Sequence, residues 1–156
     1  MNIYRVALFG HRDFDAHEKL EKEFFPILKQ LIQGKDCVEF YIGRDGEFDV
    51  FAASLIKKFQ KNTENTNTEL ILVLPYLKKD IEYYEKYYNA IVLPECIEKA
   101  HPKKAITRRN EWMIENCDML ICYAKHKNGG AYTAWKYAEK LRKRIINLAT
   151  NPDSEI

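Results

Sequence analysis

The chain has 156 residues, of which 46% are hydrophobic and 31% charged, and its formal net charge is +2. That length and composition suit one domain with a substantial core, spanning 1–150, followed by a short tail over 151–156. The net charge is too weak to argue by itself for nucleic acid or a membrane surface; nucleic acid is not expected as a partner, nor is a membrane, since no apolar stretch approaches the roughly 20 residues that a membrane span needs.

The N-terminus lacks a basic segment followed by an apolar stretch and a cleavage site, so no export signal is read and a cytoplasmic location is expected. Cys37, Cys96, Cys117 and Cys122 form no C-x-x-C, and no histidine is spaced to complete a zinc set. Reduced, mostly buried thiols and no metal are expected.

In chain order, the first apolar run covers residues 3–9 and stops at Gly10. Asp15 and Glu18 then have the spacing of a capping box, and Leu20, Phe24, Leu28 and Leu31 follow at helical spacing. Pro26 falls inside this segment and is expected to kink or split it. A second run, 38–42, leads into a helix whose apolar stripe is Phe48, Phe51, Ala52, Leu55, Ile56 and Phe59. After a polar loop over 62–68 come a third run at 70–74, a short helix within the tyrosine-rich 76–88, and a fourth run at 90–93. A helix from about Lys103 to Cys117 precedes the fifth run, 119–123. The last helix begins near Gly130, and its end carries Lys140, Arg142, Lys143 and Arg144, which complement the helix dipole. The sixth run is 145–148, and the tail from Asn151 is expected to be disordered. Most runs are continuous rather than alternating, which means burial on both faces. The reading is an α/β fold with an open, mostly parallel sheet of five to seven strands and helices on both faces.

In such a sheet, ligands bind at the C-terminal ends of the strands. Four stretches fall there. In Gly10-His11-Arg12-Asp13, a glycine admits a ligand to the backbone and Arg12 can grip a phosphate or carboxylate with two donors; a polar turn with Asp13 or Asp15 as a helix cap is the competing reading. In "IGRDGEFD", Gly43 and Gly46 bracket a turn, and Glu47 and Asp49 fall where the next helix starts. Acids there stabilise a helix N-terminus, or serve as a carboxylate holding sugar hydroxyls, a nucleophile or a base. The two lie about 200° apart on a helix, so only one faces the crevice. Glu47, directly after Gly46 and with the longer arm, is taken as the ligand-facing catalytic candidate and Asp49 as the cap.

In "RRNEWMIENCD", Ile106, Asn110, Met113 and Cys117 share a stripe. Asn110 is thus polar on an apolar face, with Arg109 beside it, and reads as a ligand contact or a loop cap. Finally, Gly129-Gly130-Ala131-Tyr132-Thr133 opens a helix after a buried strand, where free N–H groups and the dipole favour an anion. The stretch has neither G-x-G-x-x-G nor the P-loop lysine, so dinucleotide and Walker-type ATP binding are not supported and no cofactor is expected.

Taken together, "VALFGHRDFD", "YIGRDGEFDVFAA", "LILVLPY", "RRNEWMIENCDMLICY" and "GGAYTAWKYAEK" resemble, in order and across nearly the whole chain, the SLOG (Smf/DprA–LOG) superfamily, most of all its small bacterial YpsA-like branch. The resemblance implies a Rossmann-like domain that binds a nucleotide or nucleotide-derived small molecule. Some relatives hydrolyse the N-glycosidic bond of nucleoside monophosphates, others are ligand sensors, and others bind single-stranded DNA. The phosphohydrolases carry P-G-G-x-G-T-x-x-E; here Gly129-Gly130-Ala131 lacks the following Gly-Thr and the glutamate. Arg109, with Met113 after it, matches the arginine of their R-K-x-x-M stretch. The anion site therefore carries over more safely than the catalysis.

The expected function is binding of a nucleotide-derived ligand, as a sensor, through Gly10, His11, Arg12, Gly43, Asp49, Arg109, Asn110, Gly129, Gly130 and Thr133. The alternatives are an N-glycosidase or nucleoside deoxyribosyltransferase-like enzyme using Glu47 or Asp49, and an interaction module using the tyrosine-rich segment. Self-association into a homo-oligomer through helices is an expectation that comes from the family alone.

Overall fold

The computed structural model describes residues 2–63, 67–97 and 101–149. The tail from Asn151 and the middle of the polar loop lie outside them. Six strands form one all-parallel sheet: β1 (Ile3–Gly10), β2 (Cys37–Ile42), β3 (Thr68–Val73), β4 (Ala90–Val92), β5 (Met119–Tyr123) and β6 (Arg144–Asn147), in the order β4-β3-β2-β1-β5-β6. The helices are α1 (His17–Ile32), α2 (Glu47–Asn62), α3 (Ile81–Tyr87), α4 (Pro102–Glu115) and α5 (Gly129–Lys140), with a 3-10 turn at Glu95–Ile97. This is a Rossmann-like open sheet. Among the described residues no helix is long and apolar enough to cross a membrane.

Alternate strand residues point to opposite faces, so each strand feeds two cores. Val6, Leu8, Phe40, Ile42, Leu70 and Leu72 pack with Leu20, Phe24 and Leu28 of α1 and with Phe48, Ala52 and Ile56 of α2. Ala7, Phe9, Tyr41, Ile71, Val73, Leu120 and Cys122 pack on the other side with Met113 and Ile114 of α4 and Ala131, Ala134 and Ala138 of α5. The chain runs outward from β1 to β4 and then crosses back to lay β5 on the free side of β1. The direction of winding reverses between β1 and β5, and a crevice opens at the C-terminal ends of these two strands.

Two local expectations are corrected. Pro26 does not split α1, which is one helix of 16 residues. The proline is solvent-exposed, while Phe24 and Leu28 on either side are fully buried and hold the helix to the sheet. Asp15 makes no capping box, because Ala16 is the N-cap residue and no side chain caps this end. Phe14, 2% exposed and packed edge-on against Phe48 and Tyr123, fixes where the chain enters the helix and leaves Asp15 outside it. The basic cluster after α5 is divided in its use. Arg142 adopts the left-handed conformation, at φ 58°, that lets the N–H groups of Arg142 and Lys143 donate to the carbonyls of Glu139 and Ala138. Lys143 Nζ instead reaches the end of α4, donating to the Cys117 carbonyl at 2.9 Å.

Gly10 ends β1 for a packing reason. A Cβ there would lie 2.0 Å from Cγ of Phe48, which fills the space above the strand end. Gly34, at φ 73°, has nothing within 4 Å of its Cβ position and is glycine for backbone conformation alone. In urea denaturation, Gly10→Ala is expected to cost about 3 kcal/mol or more through overpacking, and Gly34→Ala only about 1 kcal/mol. Equal costs at the two positions would contradict this account of Gly10.

Candidate functional site

The crevice has a volume of about 480 Å³. Its wall is built from the segments that leave three strand ends: residues 10–13 after β1, 43–49 after β2 and 126–131 after β5, with Ile106, Arg109 and Asn110 of α4 closing one side. Of the residues expected from sequence, Gly10, His11, Arg12, Gly43, Asp49, Arg109, Asn110, Gly129 and Gly130 come together here. Thr133 does not line the crevice; its hydroxyl donates to the Gly129 carbonyl at 3.0 Å, one turn back along α5.

Glu47 is exposed and lies outside the crevice, in a shallower depression with Arg44, His17, Phe51 and Tyr87. Asp49 takes the inward position instead and is 8% exposed. The expected orientation of the two acids is therefore reversed. The turn decides it: the Glu47 N–H donates to the Arg12 carbonyl at 3.0 Å, and a Cβ on Gly46 would sit 2.5 Å from Arg12 Cα. This contact fixes the start of α2 against the loop after β1, and the helix rotation then buries Phe48 and Asp49.

Arg109 is the largest of the fully buried side chains and is 1% exposed. Its guanidinium is spent inside the protein. Nε donates to Asn110 Oδ1 at 2.8 Å, Nη1 donates to the Val73 carbonyl at the end of β3 at 2.9 Å, and Nη2 pairs with the Asp45 carboxylate. Gly43 passes directly beneath, where a Cβ would lie 3.0 Å from Arg109 Nη1. Arg109 is thus a frame residue of the crevice rather than a free cation in it. Asp49 accepts the Asp45 N–H at 3.1 Å. Burial, reinforced by the neighbouring Asp45 charge and opposed by Arg109, pushes its carboxyl up to about 7.

In the same crevice, α5 begins with bare donors. Asn128 is its N-cap residue but makes no side-chain cap, and Gly129 and Gly130 are exposed. Helix geometry leaves the first-turn N–H groups without intrahelical acceptors. Asn110 Nδ2 lies 4.0 Å from the Cβ position of Gly130, so the one amide group of α4 that faces α5 presents its donor end there. Arg12, on the rim, is exposed and makes no side-chain hydrogen bond or ion pair among the described residues. Among the described residues there is no cluster of three or more His, Cys, Asp or Glu side chains arranged to hold a metal ion.

His11 ties the two sides of the switch point. Its Nε2 accepts the N–H of Lys125 at 2.8 Å and of His126 at 3.2 Å, so the ring is neutral with its proton on Nδ1. Asp45 and His126 went unremarked as site residues in the sequence. Asp45 sits inside the "IGRDGEFD" stretch already singled out, whereas nothing local to His126 marks it. No protein-family model matches the chain, and no curated protein is significantly similar to it.

Burial, with a smaller contribution from the charge of His126, lowers the His11 pKa below its ordinary value near 6.5. Because the neutral form is the one favoured by folding, the two hydrogen bonds contribute fully above that value. They are lost as pH falls through 6.5 toward the lower folded-state value. Backbone amide resonances of Lys125 and His126 are expected to move together with the His11 ring titration on acidification. Resonances that stay fixed while His11 takes up its proton would contradict the tie.

Proposed function

We propose that the crevice binds a nucleotide or nucleotide-derived small molecule, with its phosphate on the N–H groups of Gly129, Gly130 and Ala131 and with Asn110 Nδ2 and Arg12 beside it. The observation that carries this reading is the uncapped N-terminus of α5 opening onto the crevice at the topological switch point between β1 and β5. The resemblance to the SLOG superfamily and its YpsA-like branch supports the same class of ligand, and a sensing role follows from binding without a committed catalytic group.

A second reading has its own observation. Asp49 is a buried carboxylate in the crevice wall, and an N-glycosidase or deoxyribosyltransferase-like reaction needs such a group near the anomeric carbon to attack it, steady its developing charge or activate water. On this geometry Asp49 would fill the role first assigned to Glu47. In the tyrosine-rich segment Tyr84 and Tyr88 are core residues, whereas Tyr76, Leu77 and Tyr83 are exposed and are what an interaction module would use.

Calorimetric titration with a panel of nucleoside monophosphates tests the reading. Gly130→Asp is expected to weaken binding by tenfold or more, because it sets a negative charge and bulk where the phosphate sits, while Thr133→Val leaves affinity unchanged. Undiminished affinity in Gly130→Asp would place the ligand elsewhere. Release of free base from the same nucleotides, abolished in Asp49→Asn, would favour the enzyme; binding without release favours the sensor.

A further inference from the structure

Arg109 brings one positive charge into the crevice wall, and two carboxylates face it. Asp45, 31% exposed at its side chain, takes the ion pair through Nη2. Nε and Nη1 donate to Asn110 and the Val73 carbonyl, and no hydrogen bond or ion pair joins the guanidinium to Asp49. Asp49 is therefore the buried acid without a cation. Its Oδ2 is fixed as an acceptor by the Asp45 N–H, and its Oδ1 has no protein partner among the described residues. What exposure the side chain keeps opens onto the crevice it lines.

We propose that Asp49 meets the bound ligand as a neutral carboxylic acid, donating a hydrogen bond from Oδ1 to an acceptor oxygen or nitrogen of the ligand, so that binding takes up a proton. The proposal rests on the crevice being a nucleotide site and makes Asp49 its specificity-determining residue. It selects a ligand that offers an acceptor at that point, and disfavours one that presents only a donor, such as an ammonium group.

The groups around Asp49 support this assignment. From its own turn, the Asp45 charge disfavours ionisation of Asp49, and from α4 Arg109 favours it. Beyond α3, the Tyr88 phenol is pushed up, mainly by burial and in small part by the charge of Asp49 itself. Around the crevice, Arg12 and Asp13 follow β1 and offset one another in charge, His11 is neutral, and His126 is a further lining residue. Burial holds the free-protein carboxyl at about 7, so Asp49 is divided between its two forms near neutrality. A phosphate seated on α5 adds negative charge to a crevice of about 480 Å³ and shifts Asp49 further toward the protonated form. Between the free and bound values the complex carries more protons than the separated partners, and affinity falls with rising pH by up to about tenfold per pH unit.

Two measurements on the full chain test this, with AMP as the probe. Calorimetry at pH 7.5 in two buffers of different ionisation enthalpy is expected to show net proton uptake on binding. Asp49→Asn keeps the shape and the acceptor for the Asp45 N–H, and is expected to abolish that uptake and flatten the pH dependence of affinity between 6.5 and 8.5. Uptake that persists in Asp49→Asn would come from another group, such as the phosphate monoester, and would overturn the proposal. In the ligand-free wild type, the carboxyl carbon resonance of Asp49 is expected to titrate near neutrality; a midpoint in the ordinary range near 4 would overturn it without recourse to any variant. Absence of AMP binding with a neutral midpoint would overturn the nucleotide reading, and the donated hydrogen bond with it, while leaving the buried proton established.

Discussion

A guanidinium at 1% exposure is the constraint on which the rest of this site depends. Burying a charge costs several kcal/mol unless it is paired and its donors are satisfied. Arg109 goes far toward meeting that demand: each of its three nitrogens donates to one acceptor, from its own helix, from β3 and from the turn after β2. In doing so it fixes α4 against the strand ends. It also constrains its neighbours: a Cβ at Gly43 would press on the guanidinium at 3.0 Å, and Asp45 is held where its N–H reaches Asp49. The ion pair with Asp45 then leaves Asp49 in the crevice wall as an acid with no cation.

The polar loops around the crevice are locked to one another by contacts that leave no slack. Phe48 occupies the space above Gly10, the Arg12 backbone lies against Gly46, and the Arg12 carbonyl receives the first N–H of α2. His11 reaches across to the loop that precedes α5. Each lock joins the segment after one strand to the segment after another. The donors at the start of α5 and the acid at the start of α2 therefore line one crevice whose walls are set by packing, the kind of support a binding site needs to hold its geometry. The arrangement divides the labour between charges. Arg109 frames the crevice, and the Arg12 side chain, with no hydrogen bond or ion pair of its own among the described residues, stands free at the rim.

Much of this was legible in the sequence. Continuous apolar runs ending at Gly10, Ile42 and Tyr123 announced a parallel sheet buried on both faces, and chain order placed the four polar stretches at strand ends. What stayed hidden was side-chain direction. Glu47 and Asp49 are equivalent in composition and charge, and only the rotation of α2 about the Gly46–Arg12 contact says which turns inward. Arg109 read as a cation available to a ligand because its three acceptors come from distant parts of the chain, one of them a main-chain carbonyl that no residue type reveals. Gly10 looked permissive toward a ligand, whereas its lack of a Cβ accommodates Phe48. Pro26 looked like a break, and the buried residues flanking it held the helix through.

The central claim is that the backbone donors of α5, and not the buried guanidinium, receive the ligand's anion. A proton–nitrogen correlation NMR titration with AMP reads both groups in one experiment. The account predicts progressive shifts at the Gly129, Gly130 and Ala131 amides, with the Arg109 Nε–H resonance unmoved because its bond to Asn110 Oδ1 persists. A large shift at Arg109 Nε–H with the three amides unchanged would contradict it.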